Sequence, residues 1–362
     1  MVSGNGGVIG LPVTKCLFTT GMGVFRPGKA CLGSGRVSFF DAKIMACGIF
    51  IKLFVARIHN PDVIKYTTCN WKNMIEQDLS RRFLFEELGV RGQWVKLTGS
   101  WLTAKHHQRG SESIQQQLGQ ALAAVVMLSA TVKFKGSMIL QAQGDGDIKT
   151  LVAQATDQQK IRGLIRGKDT VAPGSLASMF GQGRLVLTVE SERGSPYQGI
   201  VPLQGDNLAA ALETYFEQSE QLRTRLWLFA DATQAVGLLL QELPTQEKDD
   251  TDWQHIEMLA NTVSQRELFE LDCEQLLYRL FNQEVVRLFD PVPVEFSCGC
   301  SRANIERTLC AMGRIELEDI LKEQGLIDIN CEFCNEHYRF DEADVENILA
   351  QDITAHDAPT RH

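Results

Sequence analysis

The sequence predicts an α+β protein with an α/β-sandwich-like N-terminal domain, a helical linker and a small C-terminal domain. Strand-like and helix-like hydrophobic patterns are mixed between residues 74 and 244. Leu-rich helical patterns follow over 245–297. After Pro291 and Pro293, residues 298–362 hold two closely spaced cysteine pairs. The 362 residues suit about two to three domains, and 44% hydrophobic with 22% charged residues is typical of soluble globular proteins.

Residues 1–73 differ from the remainder in composition and are expected to lie outside the fold. They carry nine Lys or Arg and two acidic residues. The apolar run over 44–58 is interrupted by Lys52 and falls below the ~18 residues of a membrane span, so we expect no membrane partner. A basic, acid-poor segment is typical of targeting peptides, but a true start at Met74 is the simpler interpretation.

The N-terminal domain, residues 74–244, is predicted from hydrophobic period, caps and turn residues. The predicted elements are a helix over 74–88 ended by Gly89, a strand over 91–102, a helix over 111–132 with Ser111 as N-cap, a hairpin over 132–143 turning at Lys135-Gly136, a hairpin over 184–204, a helix over 206–222 capped by Asp206, and strands over 224–230 and 235–243.

The linker, residues 245–297, is expected to expose apolar surface if it unfolds. A charged start, TQEKDDTD, precedes helical patterns over 253–263 and 266–282. Their apolar stripes comprise Trp253, Leu259, Leu268, Phe269, Leu276, Leu277 and Phe281. In a folded linker these side chains pack inward. In an unfolded linker they suit the capture of other exposed chains.

Charge and cysteine distribution narrow the class of function. Residues 74–362 hold 27 basic and 43 acidic residues, which disfavours binding to phosphate backbones. No GxxxxGK[ST] loop occurs, so an ATP-driven mechanism is unsupported. None of the ten cysteines lies between residues 70 and 272, unlike a secreted disulfide scaffold, so a reducing compartment is expected.

Two cysteine pairs near the C-terminus predict a metal site. They are Cys298 and Cys300 in FSCGCS (296–301), and Cys331 and Cys334 in NCEFCN (330–335). Two short knuckles that each supply two thiolates suit one tetrahedral structural zinc ion. Gly299 is expected to relieve steric crowding in the tighter first turn.

Other candidate ligands fit this site less well. His337 could compete, but it falls in the strand-like HYRF (337–340) after the second knuckle. Cys273 and Cys310 lie on helical patterns and are expected to pack rather than to ligate. Cysteines one or two residues apart can also form local disulfides, which would remove all four ligands. A module of about 60 residues that depends on zinc would then unfold.

Several longer motifs resemble the heat-shock protein 33 family, the redox-regulated bacterial holdase chaperones. The motifs are RFLFEELGVRGQWV (82–95), LQAQGDGDIKTLVA (140–153), YQGIVPLQGDNLAAALETYFEQSEQLRTRL (197–226) and LLLQELP (238–244). The CxC and CxxC pairs agree with the family in spacing. The resemblance runs from about Met74 to the C-terminus.

This resemblance implies a function and a site. Residues 74–244 would bind unfolding client proteins, 245–297 would form a metastable linker, and 298–362 would form a zinc-binding redox-switch domain. One Zn²⁺ per chain would be bound by the four cysteines in the reduced state. Oxidation would pair Cys298 with Cys300 and Cys331 with Cys334, release zinc and unfold the linker. Members of this family then form homodimers, hold clients without ATP and pass them to ATP-dependent foldase chaperones. The resemblance therefore implies a cytoplasmic protein that is not an enzyme.

The sequence departs from the family pattern at one position, and two other functions compete with the chaperone function. Arg223 stands where the family commonly has proline, which could loosen the turn into the strand over 224–230. A thiol-disulfide oxidoreductase would use the CxxC motif, but it needs that motif at a helix N-terminus near a βαβ pattern. A zinc-ribbon nucleic-acid binder is disfavoured by the acidic composition.

Overall fold

The computed structural model describes residues 39–46, 49–56, 78–192, 194–244 and 250–356 of the chain. Its contacts divide the chain into two units, residues 1–70 and 71–362. In the first unit, strands β1 (Phe39–Ala46) and β2 (Ile49–Ala56) form an antiparallel hairpin. The remaining expectations for residues 1–73 lie outside the described residues.

The first part of the second unit mixes strands and helices. Its elements are β3 (Leu79–Phe85), β4 (Val90–Leu97), α1 (Gly99–His106), α2 (Glu112–Ser129), β5 (Gly136–Gly144), β6 (Ile148–Thr156), β7 (Lys160–Gly167), α3 (Leu176–Phe180), β8 (Gly183–Ser191), β9 (Tyr197–Pro202), α4 (Leu208–Tyr215), β10 (Thr224–Ala230) and β11 (Ala235–Glu242). A π-helical turn over Phe216–Glu220 extends α4.

The first sheet has apolar residues on both faces. Its strands run in the order β10-β11-β4-β3, each pair antiparallel. Successive side chains of a strand point to opposite faces. Leu239 of β11 therefore joins the core around α2, whereas Leu238 and Leu240 join a second core on the other face. Every residue of β11 is buried, so both faces of the sheet are covered.

The second sheet packs on the opposite side of α2. Its strands run β7-β6-β5-β8-β9, again antiparallel. Helix α2 contacts strands of both sheets and is buried along most of its length. Gly119 permits close approach, because a Cβ atom there would lie 2.6 Å from Ala230 Cβ. The layers confirm the predicted α+β class.

The linker helices cover the outer face of the first sheet. Its elements are α5 (Asp250–Ala260), α6 (Gln265–Glu270), α7 (Cys273–Phe281), β12 (Arg287–Leu288), β13 (Val292–Pro293) and β14 (Glu295–Phe296). The pattern over 266–282 forms two helices rather than one. Leu271 is extended between them, and Asp272 starts α7 with a capping box. All seven residues of the predicted stripes lie in or against the second core.

The C-terminal module has a small core of its own. Its elements are α8 (Arg302–Met312), α9 (Arg314–Gln324), β15 (Ile327–Asn330), β16 (His337–Phe340) and α10 (Glu342–His356). Its buried apolar residues are Leu309, Leu317, Ile327, Phe340, Val345, Ile348 and Leu349. A core this small supplies limited stability without an additional cross-link.

Three local predictions in the first domain are wrong. The strand predicted over 91–102 ends at Leu97, and helix α1 begins at Gly99. The segment predicted as a helix over 74–88 contains strand β3, in which Phe83 and Phe85 are buried at a spacing of two. Short apolar runs fit helix and strand periods alike, and pairing with β4 decides this one. Gly89 makes the turn between the strands at φ +61°. The hairpin over 132–143 is the single strand β5, whose partners are β6 and β8.

The two N-caps predicted in the first domain lie within one residue of the observed N-caps. Ser111 precedes α2 as expected, but its hydroxyl makes no capping bond to a helix N–H and instead bonds the Ser113 hydroxyl and the backbone of Val171. Asn207, not Asp206, caps α4 by accepting from Ala210 N at 3.0 Å. The predicted hairpin over 184–204 and the two following strands are confirmed.

Arg223 has a defined role at the start of β10. Its Nε lies 3.2 Å from Glu242 Oε2, and its carbonyl accepts the Glu242 N–H at 2.9 Å. The Glu242 side chain is 9% exposed. The ion pair therefore ties the start of β10 to the end of β11 where the expected loosening would occur.

Candidate metal centre

The first knuckle follows a strand that is anchored to the second sheet. Strand β14 pairs in parallel with β7, and Ser297 N donates to Ile161 O at 2.9 Å. After the two cysteines, Ser301 caps α8 by accepting from Asn304 N at 3.2 Å. The chain around Cys298 and Cys300 is thus fixed on both sides.

The expected role of Gly299 is wrong. Gly299 is not among the residues with positive φ. A Cβ atom built on it would meet only Arg162 Nη1, at 4.0 Å. The turn therefore has room for a side chain and needs no left-handed conformation. The spacing of one residue between two cysteines therefore produces less crowding around Gly299 than expected.

The second knuckle is the tip of the β15–β16 hairpin. The strands pair up to Asn330 and His337, which leaves the CEFC segment between them. Asn335 adopts φ +56° and its N–H donates to Cys331 O at 2.7 Å, closing the turn. Asparagine tolerates this left-handed conformation better than most residues. The CxxC motif therefore lies at a hairpin tip and not at the helix N-terminus that an oxidoreductase would use.

The four predicted cysteines come together as a thiol cluster. Their Sγ atoms all lie within 4.8 Å of one another. Cys298 Sγ and Cys331 Sγ are 3.6 Å apart, and Cys300 Sγ and Cys334 Sγ are 3.3 Å apart. A tetrahedral ion with metal–sulfur bonds of about 2.3 Å requires sulfurs about 3.8 Å apart. The donor set and its spacing therefore fit one metal ion.

The surroundings shift the pKa values of the cluster thiols in different directions. Burial raises the pKa of the Cys298 and Cys334 thiols. Burial also acts to raise the pKa of Cys300, but a hydrogen bond from Tyr338 Oη at 3.4 Å, together with contacts from the other thiols, lowers it overall. The same hydrogen bond raises the pKa of the Tyr338 hydroxyl. Tyr338 thus stabilises a thiolate at Cys300.

Tyr338 was missed by the sequence analysis. It follows Cys334 by four residues in the predicted strand HYRF, and hairpin pairing turns it toward the cluster. His337 lies outside the cluster, with Nδ1 3.7 Å from Asp328 Oδ1. Cys273 is in the core beneath the linker and Cys310 packs against the C-terminal core, as predicted.

Comparisons with known proteins agree with this architecture. Residues 78–341 match the model of the family described as Hsp33 protein. A 33 kDa chaperonin of Nitrosococcus oceani is 55% identical over 289 residues, covering 80% of this chain and 100% of the relative. A 33 kDa chaperonin of Shewanella sediminis is 43% identical over 277 residues, covering 76% and 97%.

The fold is also similar to a solved structure. The crystal structure of the 33 kDa chaperonin (heat shock protein 33 homolog) of Thermotoga maritima matches with a TM-score of 0.67 and 24% identity. The match covers 76% of this chain and 99% of that chain. Among the residues that the structure describes, no helix is long and apolar enough to cross a membrane. The family match and the two relatives show that the chain belongs to the Hsp33 family of chaperones.

Proposed function

We propose that this chain is a redox-regulated, ATP-independent holdase that binds unfolding proteins under oxidative stress. One observation carries the proposal. The linker covers an apolar sheet face and then leads directly into the thiol cluster. A change at the four cysteines can therefore reach a large buried apolar surface through a short stretch of chain.

The covered face has the properties of a surface for unfolded chains. Trp94, Leu238 and Leu240 of the first sheet are fully buried beneath the linker, as are Leu268 and Leu276 on the linker side. Release of the linker would expose both sets at once. Exposed apolar surface of this extent binds other apolar surface, because burial yields roughly 25 cal/mol per Å².

In the reduced state, the four cysteines would hold the two knuckles together. Bound to their thiolates, one Zn²⁺ would supply a tetrahedral cross-link worth about 10–16 kcal/mol of apparent binding free energy in small zinc modules. The small C-terminal core depends on such a link more than the first domain does.

Oxidation would convert the ligands into two local disulfides, Cys298–Cys300 and Cys331–Cys334. Each disulfide forms from two thiolates, which pass two electrons to one hydrogen peroxide molecule. The peroxide takes up two protons from the solvent and becomes two water molecules. No thiolate ligand is then left. This pairing is proposed from the family resemblance and not from the sulfur distances. The two short distances given above join cysteines of different knuckles.

Without the zinc cross-link, the C-terminal module would lose its fold. The linker would then lose the support that the module gives to its C-terminal end. The oxidised chain would then form a homodimer, hold clients in the cytoplasm without catalytic turnover, and pass them to ATP-dependent foldase chaperones. The relatives' name, 33 kDa chaperonin, supports a chaperone role.

The test measures zinc, free thiols and client aggregation in one sample series. Reduced protein is compared with protein treated with hydrogen peroxide and mild heat. We expect one zinc released per chain, four thiols lost and light scattering of a heat-unfolded client suppressed. Cys310→Ser is the matched control, because it removes a thiol outside the cluster and should respond like the wild type. Suppression that is the same before and after oxidation would refute the switch.

A further inference from the structure

Arg162 of β7 lies against both knuckles. Its guanidinium carbon is 4.3 Å from the centre of the Phe333 ring, inside the CEFC knuckle. Its Nη1 is the atom nearest to a Cβ built on Gly299, in the other knuckle. Arg162 Nε donates to Gln154 Oε1 on β6 at 2.7 Å, which orients the guanidinium. One half-buried cation of the first domain thus meets both halves of the thiol cluster.

Polar contacts from the same region hold the CEFC knuckle. Gln108 Nε2 donates to Glu332 O at 2.8 Å, and Asn335 Nδ2 donates to His107 O at 2.7 Å. Arg166 forms an ion pair with the Glu332 carboxylate. Main-chain carbonyls on both sides take part, so the contact depends on the backbone shape of the knuckle as well as on its side chains.

The first knuckle is attached to the same edge. Strand β14 pairs with Lys160 and Ile161 at the start of β7, and the His107 ring stacks on Phe296 with 5.6 Å between ring centres. Strand β7 and the segment after α1, residues 107–108, therefore form one continuous docking edge for both knuckles.

We propose that this docking edge is an interaction surface that binds the CEFC knuckle only in its reduced shape, and so couples the thiol cluster to the first domain. The inference rests on the proposed function and adds the residues that transmit the change. The partner of the edge is the turn over 331–335. The edge recognises three groups of this turn, which are the Phe333 ring, the Glu332 carboxylate and the Glu332 main-chain carbonyl.

The chemistry of the cluster supplies the reason for release. A disulfide brings its two sulfur atoms to about 2 Å. Cys331 Sγ and Cys334 Sγ would have to approach that distance from their positions in the cluster, and only Glu332 and Phe333 lie between these cysteines. Closing the turn moves both residues that Arg162 and Arg166 contact. Reduced geometry and docking are thereby linked.

The test substitutes Arg162 and uses a matched control. Arg162→Ala removes the cation facing Phe333, whereas Arg184→Ala removes an arginine on β8 that also bonds a glutamine of the neighbouring strand, Gln143. In reduced, zinc-loaded protein we expect amide exchange over 331–335 to be about fivefold faster in Arg162→Ala, as loss of one cation–π contact worth ~1 kcal/mol implies. Arg184→Ala should exchange like the wild type.

Three further measurements separate docking from a general loss of stability. Zinc content should be unchanged in Arg162→Ala, Arg162→Lys should restore most of the protection, and Phe333→Ala combined with Arg162→Ala should cost no more than either alone. Activation by peroxide should also be about fivefold faster in Arg162→Ala.

The outcomes distinguish this inference from the proposed function. Equal exchange in Arg162→Ala and Arg184→Ala would overturn docking, whatever the chaperone activity. If peroxide activates the wild type, but activates Arg162→Ala at the same rate, the coupling is overturned and the proposed function is left intact. A wild type that peroxide does not activate would overturn both.

Discussion

Replacing Phe281 with alanine is expected to release the linker from the first sheet without touching the thiol cluster. Phe281 ends α7 and is 1% exposed. Its ring packs edge-to-face on Phe85 of β3, with 4.9 Å between ring centres and 79° between ring planes. Truncating a buried phenylalanine costs about 3–5 kcal/mol, and the aromatic pair accounts for ~0.5–1.5 kcal/mol of that.

This cost is large for the linker. Whole domains are stable by only about 5–15 kcal/mol, and the linker contributes three short helices to one face of a sheet. Reduced, zinc-loaded Phe281→Ala should therefore populate an open linker at a temperature where the wild type is closed. The linker's amide exchange and protease sensitivity should rise, while exchange in α2 stays slow. Suppression of client aggregation should appear without oxidant.

Tyr278→Ala is the matched control on the same helix. Tyr278 is 58% exposed, so its truncation should change stability by no more than about 0.5 kcal/mol. Zinc content is measured for both variants to show that the cluster is intact. A Phe281→Ala protein whose linker is open, whose zinc is bound and which still fails to suppress aggregation would refute the idea that the linker covers the client surface.

Three other results are expected. Cys331→Ser should lose bound zinc, measured by a metallochromic dye, and the C-terminal module should lose near-UV circular dichroism; retention of both would contradict the metal assignment. Arg225 bonds Glu257 of α5 at 2.5 Å, and both side chains contact solvent, so Glu257→Gln should lower linker stability by less than ~1 kcal/mol and only at low salt, checked by thermal scans at two salt concentrations. Hydrogen bonds from Ser264 and then the nearby Arg279 lower the pKa of Glu267. The ionised Glu267 should therefore stabilise α6 fully above pH 4.5, and this stabilisation should be lost as the pH falls from 4.5 through the lowered pKa of the folded state. Amide exchange of α6 measured from pH 3 to 6 would show the loss, and the pH dependence should be absent in Glu267→Gln.

Local sequence patterns predicted long, uniform elements well. The run over 111–132 gave α2 nearly to its ends, because a buried apolar helix of 18 residues has no competing interpretation at that length. The segment over 74–88 was assigned to the wrong element, because its short apolar spacing fits both periods and strand pairing with β4 determines the outcome. The same reasoning explains the hairpin predicted over 132–143, whose glycine opens a strand instead of turning one.

The sequence by itself determined the α+β class, the apolar stripes of the linker and the four thiols, since these follow from residue type and spacing along the chain. Only the tertiary structure decided what those residues meet. It placed Tyr338 beside Cys300, seated Phe281 on Phe85 and set Arg162 against Phe333. These contacts join residues that lie up to about 200 positions apart, and no local pattern specifies which surfaces will be brought together when the chain buries its apolar area.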